Sequence, residues 1–176
     1  MKEILLLADT PNIGRSVLNE CGPEARPDYR ALLALGRSLG EDLEPYAFVN
    51  DGVNRSFVQC LKFIGYEVVF SHARDTDEPL VAKAVTLHHR VSHLVLASGD
   101  GGFCALVDLL HARGIWILLA AVPSSCSRYL RELADAFVEI PLAHRRLQPG
   151  GEREPRRPNL EIREGVGRRC FSGRET

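Results

Sequence analysis

The chain lacks the residues that would commit it to several common protein classes. It has no run of about 18 apolar residues, so no transmembrane helix is expected. Met1-Lys2-Glu3 leads into ILLLAD without a signal peptide's long apolar region and small-residue cleavage site. The first strand of a cytoplasmic α/β domain explains that segment better. Cysteine is scarce and odd in number: Cys21, Cys60, Cys104, Cys126 and Cys170, with no CxxC. Neither a disulfide framework nor a zinc site is suggested, and reduced, mostly structural thiols are expected. There is no GxGxxG, no Walker lysine after a glycine loop and no GxSxG elbow. A dinucleotide fingerprint, a P-loop and an α/β-hydrolase triad are therefore disfavoured.

What is present suits one soluble domain. A chain of 176 residues has room for a real core, and 45% hydrophobic with 26% charged residues is a globular balance. The net charge of −1 hides an asymmetry. Residues 1–142 hold 13 Lys and Arg against 18 Asp and Glu, whereas residues 143–176 hold 9 against 5. An acidic body with an arginine-rich tail can suit nucleic acid, and a solvated tail explains the same asymmetry.

Short apolar runs alternate with helical periodicity. Strands are expected at 3–9, 45–50, 66–71, 93–98, 115–121 and 136–140. Helices are expected at 27–40, 54–64, 77–90, 101–113 and 124–134, where apolar residues recur at three- and four-residue spacing. This alternation predicts an α/β fold, a parallel sheet covered by helices on both faces. After Ala143 the segment HRRLQPGGEREPRRPN loses apolar periodicity. The domain is expected to span 1–142, with 143–176 a flexible Arg/Pro/Gly-rich tail.

In open α/β sheets ligands bind beyond the carboxyl ends of the strands, where strand order reverses. Carboxylates recur at those ends. Asp9 follows the first strand, Asp75 and Asp77 the third, and Asp100 the fourth, inside HLVLASGDGGF. Carboxylates that converge repel one another, and a divalent cation resolves the repulsion. Hard oxygen ligands suit Mg²⁺ or Mn²⁺. Such a site polarises a phosphodiester and activates water. Each residue also has a plain structural use. Asp77 and Asp100 can cap helices, Asp9 can form a turn before Pro11, Asn12 can close an Asx-turn, and Asp135 before a short strand reads as structural.

The ordered motifs resemble the NYN domains of the PIN-like nuclease superfamily. The first strand ends in a D-x-x-N pattern, matched by Asp9 and Asn12. Asp77 opens a helix in ARDTDEPLVAKAV. SGDGGF matches the family's S-G-D-x-D-F at Ser98, Gly99, Asp100 and Phe103. LRELADAFVEI matches a closing L-x-x-x-A-D-x-F at Ala134, Asp135 and Phe137. The resemblance spans about residues 3–140. It implies a three-layer Rossmann-like sheet in the order 3-2-1-4-5, with strands one and four adjacent. It also implies a Mg²⁺- or Mn²⁺-dependent ribonuclease. Asp9, Asp77 and Asp100 would be the metal ligands and catalytic carboxylates. Asn12 and Ser98 would bind substrate; Arg74, read from the sequence itself, is a further candidate for substrate phosphate, with solvated charge the alternative. RNA would be the partner, and a homodimer is expected by analogy. Two departures keep a second reading open, in which a weakened domain binds RNA or protein without cutting. Gly102 replaces the second acid of the S-G-D-x-D-F pattern, and Lys83 falls near a further acidic position. A small-molecule nucleotide-binding domain is a third reading.

Overall fold

The computed structural model describes residues 3–71, 76–143 and 160–162. Strand β1 (Glu3–Asp9) is a continuous apolar run and leads into helix α1 (Thr10–Cys21). There follow β2 (Arg26–Pro27), α2 (Tyr29–Arg37), β3 (Leu43–Asn50), α3 (Arg55–Ile64), β4 (Glu67–Ser71) and α4 (Asp77–Leu87). The chain continues through β5 (Val91–Ala97), α5 (Cys104–His111), β6 (Trp116–Ala121), α6 (Arg128–Leu133), β7 (Ala136–Glu139), β8 (Leu142–Ala143) and β9 (Leu160–Ile162). Single 3₁₀ turns at Gly101–Phe103 and Pro123–Ser125 precede α5 and α6.

The main sheet runs β4-β3-β1-β5-β6-β7-β9. Its first six strands are parallel, and β9 pairs antiparallel with β7. The expected order lies inside this sheet as β4-β3-β1-β5-β6, and the sheet extends further through β7 and β9. Residues 160–162 thus bring a strand from beyond the boundary expected near residue 142. A small antiparallel ribbon joins β2 to β8.

Alternation along β1 builds two cores, because successive strand side chains point to opposite faces. Ile4, Leu6 and Ala8 pack with Ile13, Val17, Leu32 and Leu61 of α1–α3. Leu5 and Leu7 pack with Leu80, Ala84, Leu106, Leu110 and Leu130 of α4–α6. The sheet is therefore the middle layer of three. Among the described residues no helix is long and apolar enough to cross a membrane.

Helix α1 is an element the residue pattern does not announce. Pro11, Asn12, Gly14 and Ser16 are poor helix formers, and only Thr10, Ile13 and Val17 of the helix are buried. Two local features allow it to form. Pro11 falls in the first turn, where its missing N–H is not needed. Asp9 caps the helix by accepting from the Asn12 N–H.

Candidate active site

The site forms where strand order reverses. From β1 the chain moves outward to β3 and β4, then crosses to β5 on the other side of β1. The register pairs Ala8 with Ala97, so Asp9 and Ser98 leave the sheet side by side.

Asp9 is 2% exposed and is the hub of a hydrogen-bond network. Its Oδ1 accepts from Thr76 Oγ1 at 2.9 Å and from the Asn12 N–H at 3.2 Å. Its Oδ2 accepts from Ser98 Oγ at 2.9 Å. Ser98 Oγ in turn accepts from the Asp100 N–H at 3.2 Å. Asn12 Oδ1 accepts from the Gly99 N–H at 2.9 Å. One buried carboxylate thus ties together the ends of β1 and β5 and the start of α4. Burial pushes the Asp9 carboxyl above the ordinary carboxylate value. The bonds from Thr76, Asn12 and Ser98 oppose that rise, and the Asp100 charge adds to it.

The Asp100 backbone belongs to this network, but its carboxylate stands outside it. It is exposed, and its Oδ1 accepts from the Gly102 N–H at 2.9 Å, so it caps the turn that follows. Asp77 faces it. A Cβ placed on Gly102 would lie 3.3 Å from Asp100 Oδ1 and 3.6 Å from Asp77 Oδ2. The two carboxylates therefore flank one point, and the residue at that point is the glycine that replaces an acid. Asp9, Asp77 and Asp100 do not close into a three-carboxylate cluster, however. Among the described residues no group of three or more His, Cys, Asp or Glu is placed to hold a metal ion. The physical reason is that Asp9 turns inward to the hydroxyls of Thr76 and Ser98.

The glycines of SGDGG have separate uses. A Cβ on Gly99 would lie 3.1 Å from both Cys126 Cα and the Ser125 carbonyl oxygen. One on Gly101 would lie 2.9 Å from Ser127 Oγ. The Ser127 N–H donates to the Gly99 carbonyl at 2.9 Å. Gly99 and Gly101 thus admit the neighbouring Ser125–Ser127 segment, and only Gly102 opens toward carboxylates.

Other candidates lie elsewhere. Asp135 Oδ2 accepts from the Ile117 N–H at 2.7 Å and pairs with His111 Nε2 at 2.9 Å, at the start of β6 and far from the site. Lys83 sits six residues along α4 from Asp77, a rise of about 9 Å. Its ammonium lies 4.3 Å from the Tyr46 ring centroid and 3.8 Å from Glu67 Oε1. It is therefore no missing ligand of this site. Arg74 lies outside the described residues. Thr76 is the residue that motif reading missed. It precedes α4 as a natural cap, yet its hydroxyl donates to Asp9 instead of capping. Its only signal is its place beside Asp77 in RDTDEP.

A three-layer α/β domain with carboxylates at the switch point of a parallel sheet is consistent with the PIN-like class. Within that class, the NYN domain model matches residues 3–141, and the chain belongs to the NYN family. A protein of unknown function from Vibrio parahaemolyticus has a similar crystal structure, with a TM-score of 0.70 and 23% identity over 79% of this chain and 93% of that one. That likeness supports the fold. A comparison with curated proteins returned no match. NYN membership places the chain among nuclease-like, RNA-related domains.

Proposed function

We propose that this protein is a Mg²⁺- or Mn²⁺-dependent ribonuclease that hydrolyses RNA phosphodiesters at the Asp77–Asp100 cleft. The observation that carries the reading is the pair of carboxylates flanking the Gly102 position, directly outside the Asp9 network. The donor set fits Mg²⁺ or Mn²⁺. Mg²⁺ keeps several waters and commonly takes one or two carboxylates plus substrate phosphates, so the two carboxylates beside Gly102 would suffice once RNA is present. A bound divalent ion supplies an acidified water and offsets the charge that builds on the phosphate.

The chain's own residues divide the work. Asp77 and Asp100 would hold the ion. Asp9, expected as a third direct ligand, acts from behind by fixing Ser98 and Thr76. Ser98 sets the Asp100 backbone, and Asn12 sets Gly99, so both act first as positioning residues. Arg74 remains the proposed phosphate contact.

Gly102 favours one alternative, a domain that binds RNA without cutting it, because a third carboxylate is missing there. Incubating the protein with a mixed RNA pool separates the two. Cleavage that needs Mg²⁺ or Mn²⁺, stops with chelator and is lost in Asp100→Asn supports the enzyme. RNA retention without cleavage, unchanged by chelator, would overturn it.

A further inference from the structure

Helix α3 and the edge strand β4 enclose an open groove of about 440 Å³. Its lining includes Val53, Arg55, Val58, Gln59, Lys62 and Phe70. Arg55, Gln59 and Lys62 fall at i, i+4 and i+7, so they share one helical face, and all three are exposed. Phe70 is 44% exposed on β4. Among the described residues neither Arg55 nor Lys62 joins a salt bridge. Lys62 in the last turn suits the helix dipole, but Arg55 opens the helix, where a cation is unfavourable. Its position is therefore not explained by helix stability.

The groove begins at the same rim as the cleft. Asn50 at the end of β3 pairs with Ser71 at the end of β4, and Phe48 pairs with Asp9. In the order β4-β3-β1-β5, three strand spacings, about 14 Å, separate β4 from β5, and α3 packs on the opposite face of the sheet from α4 and α5, so a strand joining groove and cleft passes over that rim.

We propose that this groove is a docking track for the single-stranded RNA that flanks the cut site. Arg55 and Lys62 meet backbone phosphates, Gln59 hydrogen bonds to the strand, and one base stacks on Phe70. Two cations and an aromatic face, with apolar Val53 and Val58 beside them, match a strand that alternates phosphates with flat bases. An acidic peptide would satisfy the cations, but the rim shared with an RNA-related cleft favours RNA. The proposal rests on the reading of the cleft as an RNA site, yet its test needs no cleavage.

The probe is a fluorescein-labelled single-stranded oligouridylate, titrated by anisotropy in EDTA across a salt series. Arg55→Glu should weaken binding about tenfold and reduce the salt slope by about 0.7 or more, the share of one phosphate contact on a single strand. Arg113→Glu makes the same charge change at the far end of α5 and should leave affinity within about twofold. Phe70→Ala should weaken binding about tenfold with the slope retained, as expected for a lost stacking contact. Unchanged far-UV circular dichroism and thermal midpoint check that each variant is folded. Wild-type protein that does not bind the probe, or equal losses in Arg55→Glu and Arg113→Glu, overturns the track. So does full affinity in Arg55→Glu and Phe70→Ala, which would point to a protein partner. If RNA is never cut but these differences appear, the ribonuclease reading fails and the track stands.

Discussion

At the residue scale, Asp9 holds the site together at a cost in its own solvation. Its carboxyl lies above the ordinary value of 3.8, chiefly through burial. The folded state therefore keeps a proton on Asp9 to higher pH than the unfolded state does. By linkage, its contribution to stability is greatest below the unfolded value and falls as pH rises through the folded one. Asp9→Asn removes that part of the pH dependence. Urea unfolding of both proteins between about pH 4 and 7 should show the variant gaining on wild type as pH rises. Parallel curves would mean that Asp9 titrates alike in both states. Much of this network's membership was legible in the sequence, because Asp9 and Asn12 follow the first apolar run and Ser98 and Asp100 follow the fourth. Thr76 was not, since a threonine before a helix signals a cap and gives no hint of a bond to a residue 67 positions away.

At the element scale, glycines separate packing from mere tolerance. Gly99 meets the backbone of Ser125 and Cys126, which cannot yield as a side chain tip can. Gly99→Ala should destabilise the fold by about 1–3 kcal/mol through overpacking. Gly14 lies inside α1 with nothing within 4 Å of an added Cβ. Gly14→Ala should stabilise by about 0.5–1 kcal/mol by restricting the unfolded chain. Chemical denaturation of both variants checks the opposite signs. The same contrast explains which helices could be read in advance. Helix α3 carries its cap, Asn54, and its stop, Gly65 at φ 112°, at the expected ends. Helix α1 draws its start from Asp9 and much of its stability from packing on the sheet, so its own composition conceals it. Strands β2, β8 and β9 are two or three residues long, too short for any period to register.

At the scale of the whole molecule, topology makes the site. Asp9 and Asp100 lie 91 positions apart, and their approach follows from β1 lying between β3 and β5. Alternation of strands and helices predicted the parallel sheet, and the resemblance to NYN domains supplied the order that sets strands one and four side by side. The inward turn of Asp9 was not legible, because it depends on hydroxyls arriving from two other segments. The central claim is that Asp77 and Asp100 together hold the ion that RNA cleavage requires. Its most direct test is the single-turnover rate of RNA cleavage, titrated with Mn²⁺ for wild type, Asp77→Asn, Asp100→Asn and Gly102→Asp. Each Asn variant should slow cleavage by about 100-fold or more and move the half-maximal Mn²⁺ concentration upward. Gly102→Asp should move it downward by adding a third oxygen ligand. Cleavage that needs no metal, or a Mn²⁺ midpoint unmoved in both Asn variants, would contradict the account.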